Sequence, residues 1–502
     1  MNITKHLLWS GIIICSLNLA ADPVKPAGIF RNNMVLQRGM EIPVWGKALP
    51  NEKVTVEFNG ISKSVNTADD GKWLVKTGPF AAGGPHVMTI SGDKSGSVSL
   101  SDVLIGDVWL CAGQSNMQLS LKATENADAE IAAAQYPMIR MTTISGSSLE
   151  PQYNLSCSWV ECSPATVKNF SAVGYFFGRE LHKKLNVPVG LISIPEGASP
   201  IRAWISKKTQ LGNPVFKDIL EDYMSYQTRK NEYMENKKTY DEALKKSKKE
   251  GTPPPSSPGY FEAYGDCPGF LFNARIAPLV PYGINGVIWY QGENDAIYKK
   301  YAVIYKDLFP VLIKDWREFW GQGDFVFLYV QLAPLNSQRP VCYSKSFWAE
   351  VRDAQRRTLA VNKTGMVVTT DICEAELHPK KKIEVGKRLA DAALNLCHGQ
   401  NIVCSGPIIK NAEFKSGNVV ISFTNTGSGL SIKGDKLQGF SIAGSDKKFV
   451  NAEAEIKNNT VIVYSNDVKE PQAVRYAWAD NPLCNLFNNE GFPASCFRTD
   501  SW

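Results

Sequence analysis

The middle of the chain is built from short, continuously apolar runs set between longer stretches of helical periodicity. The runs are "DVLIGDVWLCAG" (102–113), "VPVGLISIPEG" (187–197), "INGVIWYQGEN" (284–294), "FVFLYVQLAP" (325–334) and "TGMVVTTDICE" (364–374). A strand covered on both faces reads as an unbroken apolar run, whereas a half-exposed strand alternates. Between the runs, Val167, Phe170, Gly174, Phe177 and Leu181 share one helical face, as do Tyr301, Ile304, Leu312 and Trp316. Pro310 is expected to kink or split the second of these helices. Strands alternating with helices in this way predict an α/β fold with a doubly wound parallel sheet and right-handed crossovers.

The ends of the chain carry a different period. "KVTVEFNG", "GKWLVKTG" and "HVMTISG" alternate apolar and polar residues between turn signals, and so do "NVVISFTNTG", "NTVIVYS" and "AVRYAWAD". We therefore expect an N-terminal β-rich module at 22–100, a catalytic-type α/β domain at 101–405 and a C-terminal β-rich module at 406–502, both modules β-sandwich-like. A charged, then Pro/Ser-rich insertion around 226–258 ends in "GTPPPSSPG" and contains "KKSKKE". With a net charge of only +6 over 502 residues, and no aromatic or Gly-rich signature beside that run, a solvated helix and loop is expected and nucleic-acid binding is not.

Residues 1–21 read as a secretory signal peptide, with Lys5, an apolar stretch from Leu7 to Leu19, and Ala20 and Ala21. Nothing later reaches the ~20 apolar residues of a membrane span. A secreted or periplasmic protein without stable membrane insertion is expected. Beyond the leader, an even set of cysteines permits disulfides, with Cys157/Cys162, Cys397/Cys404 and Cys484/Cys496 as candidate pairs. No C-x-x-C pair occurs and histidines are few, so no metal site and no cofactor is expected.

In a doubly wound sheet, ligands sit beyond the carboxyl ends of the strands. The polar residues and tight turns at those ends are Ser115, Gly197, Gln291 with Glu293, Gln331, and Asp371. Ser115 lies between a strand and a helix start, where a serine can cap the helix or serve as an exposed nucleophile. A serine nucleophile needs a base, most often histidine. His86 falls in the N-terminal module, His182 on the polar side of a helix, and His398 just past a helix end. His378 falls in the loop after the last parallel strand, on the same sheet edge as Ser115, and is left as the base. Asp371, Glu374 and Glu376 are all near enough in sequence to orient it.

These residues lie in motifs that resemble the sialate O-acetylesterase family, a branch of the SGNH (GDSL-like) hydrolase superfamily. The motifs are "WLCAGQSNMQ", "SAVGYFFGRELHKKLNVPVGLI", "GVIWYQGEND", "HPKKKIEVGKRLA" and "YAWADNPLCNLFNNEGFPASCFRTD", spread over nearly the whole chain. The resemblance implies an SGNH-type catalytic domain, Ser115 as nucleophile and His378 as base. It implies an oxyanion hole of the Ser115 N–H, Gly197 and Gln291. Two departures stand out. The family's Gly-Gly-Thr is Gly197-Ala198-Ser199 here, and the superfamily's Asp-x-x-His is missing because Ala375 stands three before His378. Glu376 is taken as the substitute acid, with Glu374 or a backbone carbonyl as alternatives. The expected activity is hydrolysis of O-acetyl esters of an acetylated carbohydrate, sialate first. Acetylated xylan or another polysaccharide is the alternative substrate, and an inactive carbohydrate-binding protein the alternative of another kind. Arg202 and Glu293, with Trp204, Trp289 and Tyr290, are candidate sugar contacts.

Overall fold

The computed structural model describes residues 24–257, 267–336, 346–372 and 374–502. The expected leader at 1–21, Cys342 and Cys373 lie outside them. All five apolar runs contain strands, and a sixth parallel strand, Tyr136–Thr143, joins them. Pro137 near its start masks that strand in the sequence, because proline weighs against a strand reading. From one edge the order is Val160–Cys162, Tyr136–Thr143, Val189–Ser193, Gly96–Gly113, Gly286–Tyr290, Val326–Val330 and Thr364–Val367. Every pairing after the first is parallel.

Alternate side chains of these strands enter two different cores. Leu110, Ala112, Val287, Trp289, Phe327 and Tyr329 pack with the helix Lys299–Trp320 on one side. Trp109, Cys111, Ile288, Tyr290, Leu328 and Val330 pack with the helices Ala172–Leu185 and Ile383–His398 on the other. That is the physical content of a strand with no solvent face. Helix Lys299–Trp320 continues through Pro310, so the expected split does not occur. The stretch expected as one helix from Val167 breaks instead at Ser171, whose side chain caps Ala172–Leu185 by accepting from the Gly174 N–H at 3.1 Å.

The strand Gly96–Gly113 is shared. Its first half pairs antiparallel with Gly83–Gly92 of the N-terminal β region and its second half lies in the parallel sheet. The expected boundary at 100/101 therefore crosses a continuous strand. At the other end, an antiparallel sheet containing Asn418–Thr424 and Thr460–Tyr464 shares one core with a sheet containing Phe440–Ala443 and Ala473–Tyr476. The insertion opens with a helix, Lys217–Glu250, most of whose residues are solvated.

All eight described cysteines are free thiols, so the three candidate pairs are not disulfides here. No helix among the described residues is long and apolar enough to cross a membrane. No cluster of three or more metal-ligating side chains occurs among them.

Candidate active site

After the strand Gly96–Gly113 the chain fills one side of it, ending with the adjacent strand Val189–Ser193, and then crosses to the adjacent Gly286–Tyr290 on the other, so Ser115 stands at the point where the winding reverses. Gly113 makes that placement possible. Its φ is +131°, and a methyl group there would lie 2.2 Å from the Tyr290 carbonyl oxygen. Gly113→Ala should therefore cost about 3 kcal/mol or more in urea denaturation. A loss under about 1 kcal/mol would show that the strand ends can separate.

Each residue after Gly113 has a separate task. Gln114 is buried and its Oε1 accepts from the backbone N–H of Gly292 (3.4 Å) and Asn294 (3.3 Å), joining this turn to the next strand's loop. Ser115 is the first residue of a short helix, Ser115–Gln118, whose N-cap is Gln114. It caps nothing, and its half-buried hydroxyl has no protein partner among the described residues. Asn116 is buried and faces the last loop. Its Nδ2 donates to the Leu377 carbonyl at 2.9 Å and to Glu293 Oε1 at 2.5 Å, and its Oδ1 accepts from Lys382 Nζ at 2.7 Å. Leu377 precedes His378, so the neighbour of Ser115 holds the neighbour of His378 across 261 residues of sequence.

Two further bonds fix that loop: the Glu125 N–H donates to the Lys380 carbonyl, and the Asn336 N–H to the Ala375 carbonyl. His378 and Glu376 are exposed and make no hydrogen bond among the described residues. Asp371 is tied to Arg388 through both oxygens at 2.8 Å, and Glu374 accepts from the Lys380 N–H. The other histidines are engaged elsewhere. His182 Nδ1 is 2.8 Å from the Val187 carbonyl, so its ring is half-buried rather than facing solvent, and His398 lies 3.4 Å from Asp107.

Glu293 is placed differently from expectation. It lies buried against Asn116 instead of in a cavity wall, and its Oε2 has no partner among the described residues. Burial raises its pKa, opposed by the Asn116 hydrogen bond and the Lys382 charge. An ionisable oxygen left without a partner in a buried site is costly unless something else reaches it.

Gly197 is next to the serine: a methyl group on it would lie 4.0 Å from Ser115 Cβ and 3.1 Å from Gln118 Oε1. Nothing among the described residues accepts from the N–H of Ser115 or Gly197. Gln291 does not fit a third oxyanion donor. It is fully buried, and its Nε2 donates to the Ser199 carbonyl (3.1 Å) and Asp295 Oδ2 (2.6 Å), which occupies both protons. Its length carries it past the strand edge into the core beneath. Asn294, three residues on, is half-buried beside Gly197, with one Nδ2 proton on the Ala198 carbonyl at 2.8 Å. Asn116 and Asn294 both lie inside quoted motifs, and the signal that could have found them was a small amide beside each acidic or nucleophilic residue.

Ala198 adopts φ +53°, a conformation that costs a non-glycine residue about 1–2 kcal/mol. The turn is held regardless: Ser199 Oγ donates to the Glu196 carbonyl, Trp204 Nε1 to Ser199 Oγ, and Arg275 to the carbonyls of Ile194 and Pro195. Ala198→Gly should be neutral or stabilising by up to about 1 kcal/mol in thermal unfolding. A clear destabilisation would mean that the methyl packs usefully.

Gly197, Ala198 and Asn294 open onto a cavity of about 750 Å³ whose wall also includes Arg202, Arg275, Phe270, Tyr298, Lys300 and Tyr301. Arg202 is buried, its guanidinium 4.1 Å over the Tyr301 ring and 3.9 Å from Asp295 Oδ1. Trp204, Trp289 and Tyr290 are fully buried and do not line this cavity. They support the strand ends from below and cannot touch a sugar.

A strand-to-helix serine, a histidine loop brought to it and free backbone donors beside it are the equipment of an ester hydrolase. Residues 271–395 match the family described as carbohydrate esterase, sialic acid-specific acetylesterase. Sialate O-acetylesterase of Mus musculus is 29% identical over 79% of this chain and 78% of its own length. That of Pongo abelii is 30% identical over 79% and 76%. A carbohydrate acetylesterase from Xanthomonas citri has a similar structure, with TM-score 0.80, 35% identity, and coverage of 95% of this chain and 100% of its own. The chain belongs to the sialate O-acetylesterase family and is a carboxylic ester hydrolase.

Proposed function

We propose that the protein removes O-acetyl groups from carbohydrates by a serine mechanism on an SGNH-type catalytic domain, with acetylated sialic acid as the first-choice substrate. The observation that supports this is the Asn116 side chain, which bonds the Leu377 carbonyl and so ties the residue after Ser115 to the residue before His378. In this reading His378 takes the Ser115 hydroxyl proton as Oγ attacks the acetyl carbonyl carbon. The oxyanion is received by the N–H groups of Ser115 and Gly197 and by Asn294 Nδ2. Collapse passes the proton from His378 to the sugar oxygen and leaves acetyl-Ser115. Water, deprotonated by His378, then releases acetate and restores the serine.

The third member is Glu293 in this account, not Glu376. Its unpartnered Oε2 is buried beside the loop that carries His378, where the other ring N–H of His378 would satisfy it once substrate draws the ring inward. Catalytic hydrogen bonds commonly tighten only in the substrate complex. Asn294→Ala should lower kcat by about 10²–10³-fold, the usual cost of one oxyanion donor. Gln291→Ala should instead show up mainly as lost stability, and the reverse pattern would restore Gln291 to the oxyanion hole.

Acetate release from 9-O-acetyl-N-acetylneuraminic acid and from acetylated xylan tests the substrate. Faster turnover of the sialate ester is expected; faster turnover of xylan acetate makes the protein a polysaccharide acetylesterase. Binding of either glycan without acetate release would favour the carbohydrate-binding alternative. The apolar leader supports export, which the N-terminal residue of protein recovered outside the cytoplasm would check.

A further inference from the structure

The cavity beside Gly197 is far larger than an acetyl group, and its volume falls in the ~300–1,000 Å³ range that takes a whole small ligand. Its outer wall is apolar and aromatic on one loop. After Glu293 the chain makes a single turn, Asp295–Ile297, and enters the helix Lys299–Trp320 with Tyr298 as N-cap residue. The Tyr298 carbonyl accepts from the N–H groups of Tyr301 (3.1 Å) and Ala302 (3.0 Å), so its backbone is fixed by the helix. Its side chain is not covered in the same way. Tyr298 is 57% exposed and Ile297 59%, and the Tyr298 hydroxyl has no protein partner among the described residues.

Behind it, Tyr301 is buried, with Arg202 4.1 Å and Lys300 4.8 Å from its ring centre. The Tyr301 hydroxyl donates to Asp222 at 3.2 Å, and Lys300 pairs with the same carboxylate. Tyr298 packs perpendicular to this braced ring, centroids 6.1 Å apart and planes at 88°. A rigidly based ring left more than half exposed, on the rim of a cavity that begins beside Gly197, suits the apolar C–H face of a pyranose.

We propose that Tyr298, with Ile297 beside it, is the platform on which the pyranose ring of the acetylated sugar stacks, and that it determines preference for carbohydrate over simple acetyl esters. This rests on the carbohydrate-esterase reading above. It assigns no role in the chemical step, so the effect belongs to recognition of the sugar.

The test compares kcat/KM for 9-O-acetyl-N-acetylneuraminic acid, acetylated xylan and 4-nitrophenyl acetate in wild type, Tyr298→Ala, Tyr298→Phe and a distant control, Tyr153→Ala. Tyr298→Ala is expected to lower the ratio of glycan to aryl-ester activity about tenfold, through KM and not kcat. Tyr298→Phe should restore the ratio because the face and not the hydroxyl is used, and Tyr153→Ala should not alter it. Equal losses on sugar and aryl esters, or an unchanged ratio, would overturn the platform. A wild type that cleaves only the aryl ester would overturn the carbohydrate reading itself, and this inference with it.

Discussion

Ser115→Ala is expected to lower kcat for acetate release by about 10⁴-fold or more, with stability within about 0.5 kcal/mol of wild type. Both halves follow from the same geometry. Among the described residues the hydroxyl bonds nothing and caps nothing, so its removal leaves none of their buried groups unpartnered. The turn around it is held by Gly113, Gln114 and Asn116, all still present in the variant. A residual rate above water is expected, because the backbone donors of Ser115 and Gly197 survive. Loss of activity with a large drop in unfolding midpoint would instead mean a structural serine.

Glu293→Gln should lower kcat by about 10²–10⁴-fold, while Glu376→Gln should stay within about threefold of wild type. The two carboxylates relate to the loop of His378 in different ways. Glu376 is two residues away but exposed, so its charge is screened and its position unfixed. Glu293 is remote in sequence but buried, bonded to Asn116 and, among the described residues, without a partner on Oε2. Glutamine keeps the shape and, on its Oε1, the bond from Asn116, but it puts an NH2 where Oε2 stands and removes the charge that would stabilise an imidazolium. In the proposed mechanism the histidine ring needs that charge as the proton from Ser115 arrives, so kcat should fall more than KM rises. A large loss in Glu376→Gln with Glu293→Gln unaffected would return the acid to the exposed loop.

Much of this fold could be read from residues alone, because strands buried on both faces and amphipathic helices leave different periods. The strand ends at Ser115, Gly197 and Glu293 were legible too, since parallel strands must deliver their carboxyl ends to one edge. What a period cannot supply is direction beyond the strand, where the chain leaves the extended conformation and side chains no longer alternate. Gln291 and Glu293, two residues apart, illustrate this: one turns into a structural network with Ser199 and Asp295, the other toward Asn116. Asp371 sits at the right edge as well, yet Arg388 from the following helix claims it. Asn116 shows in the sequence only as an amide beside Ser115; its value lies in a contact with Leu377, 261 residues away. The shared strand Gly96–Gly113 was likewise divided at a change of period that is a change of neighbours, not of chain direction.

The most direct test of the account is covalent labelling of the active enzyme with an aryl fluorophosphonate, followed by peptide mapping. The account predicts one label, on the peptide that carries Ser115, with acetate release falling in step with its incorporation, and no label at that site in Ser115→Ala. Full activity in labelled protein, or inactivation tracking a label on another residue, would contradict it.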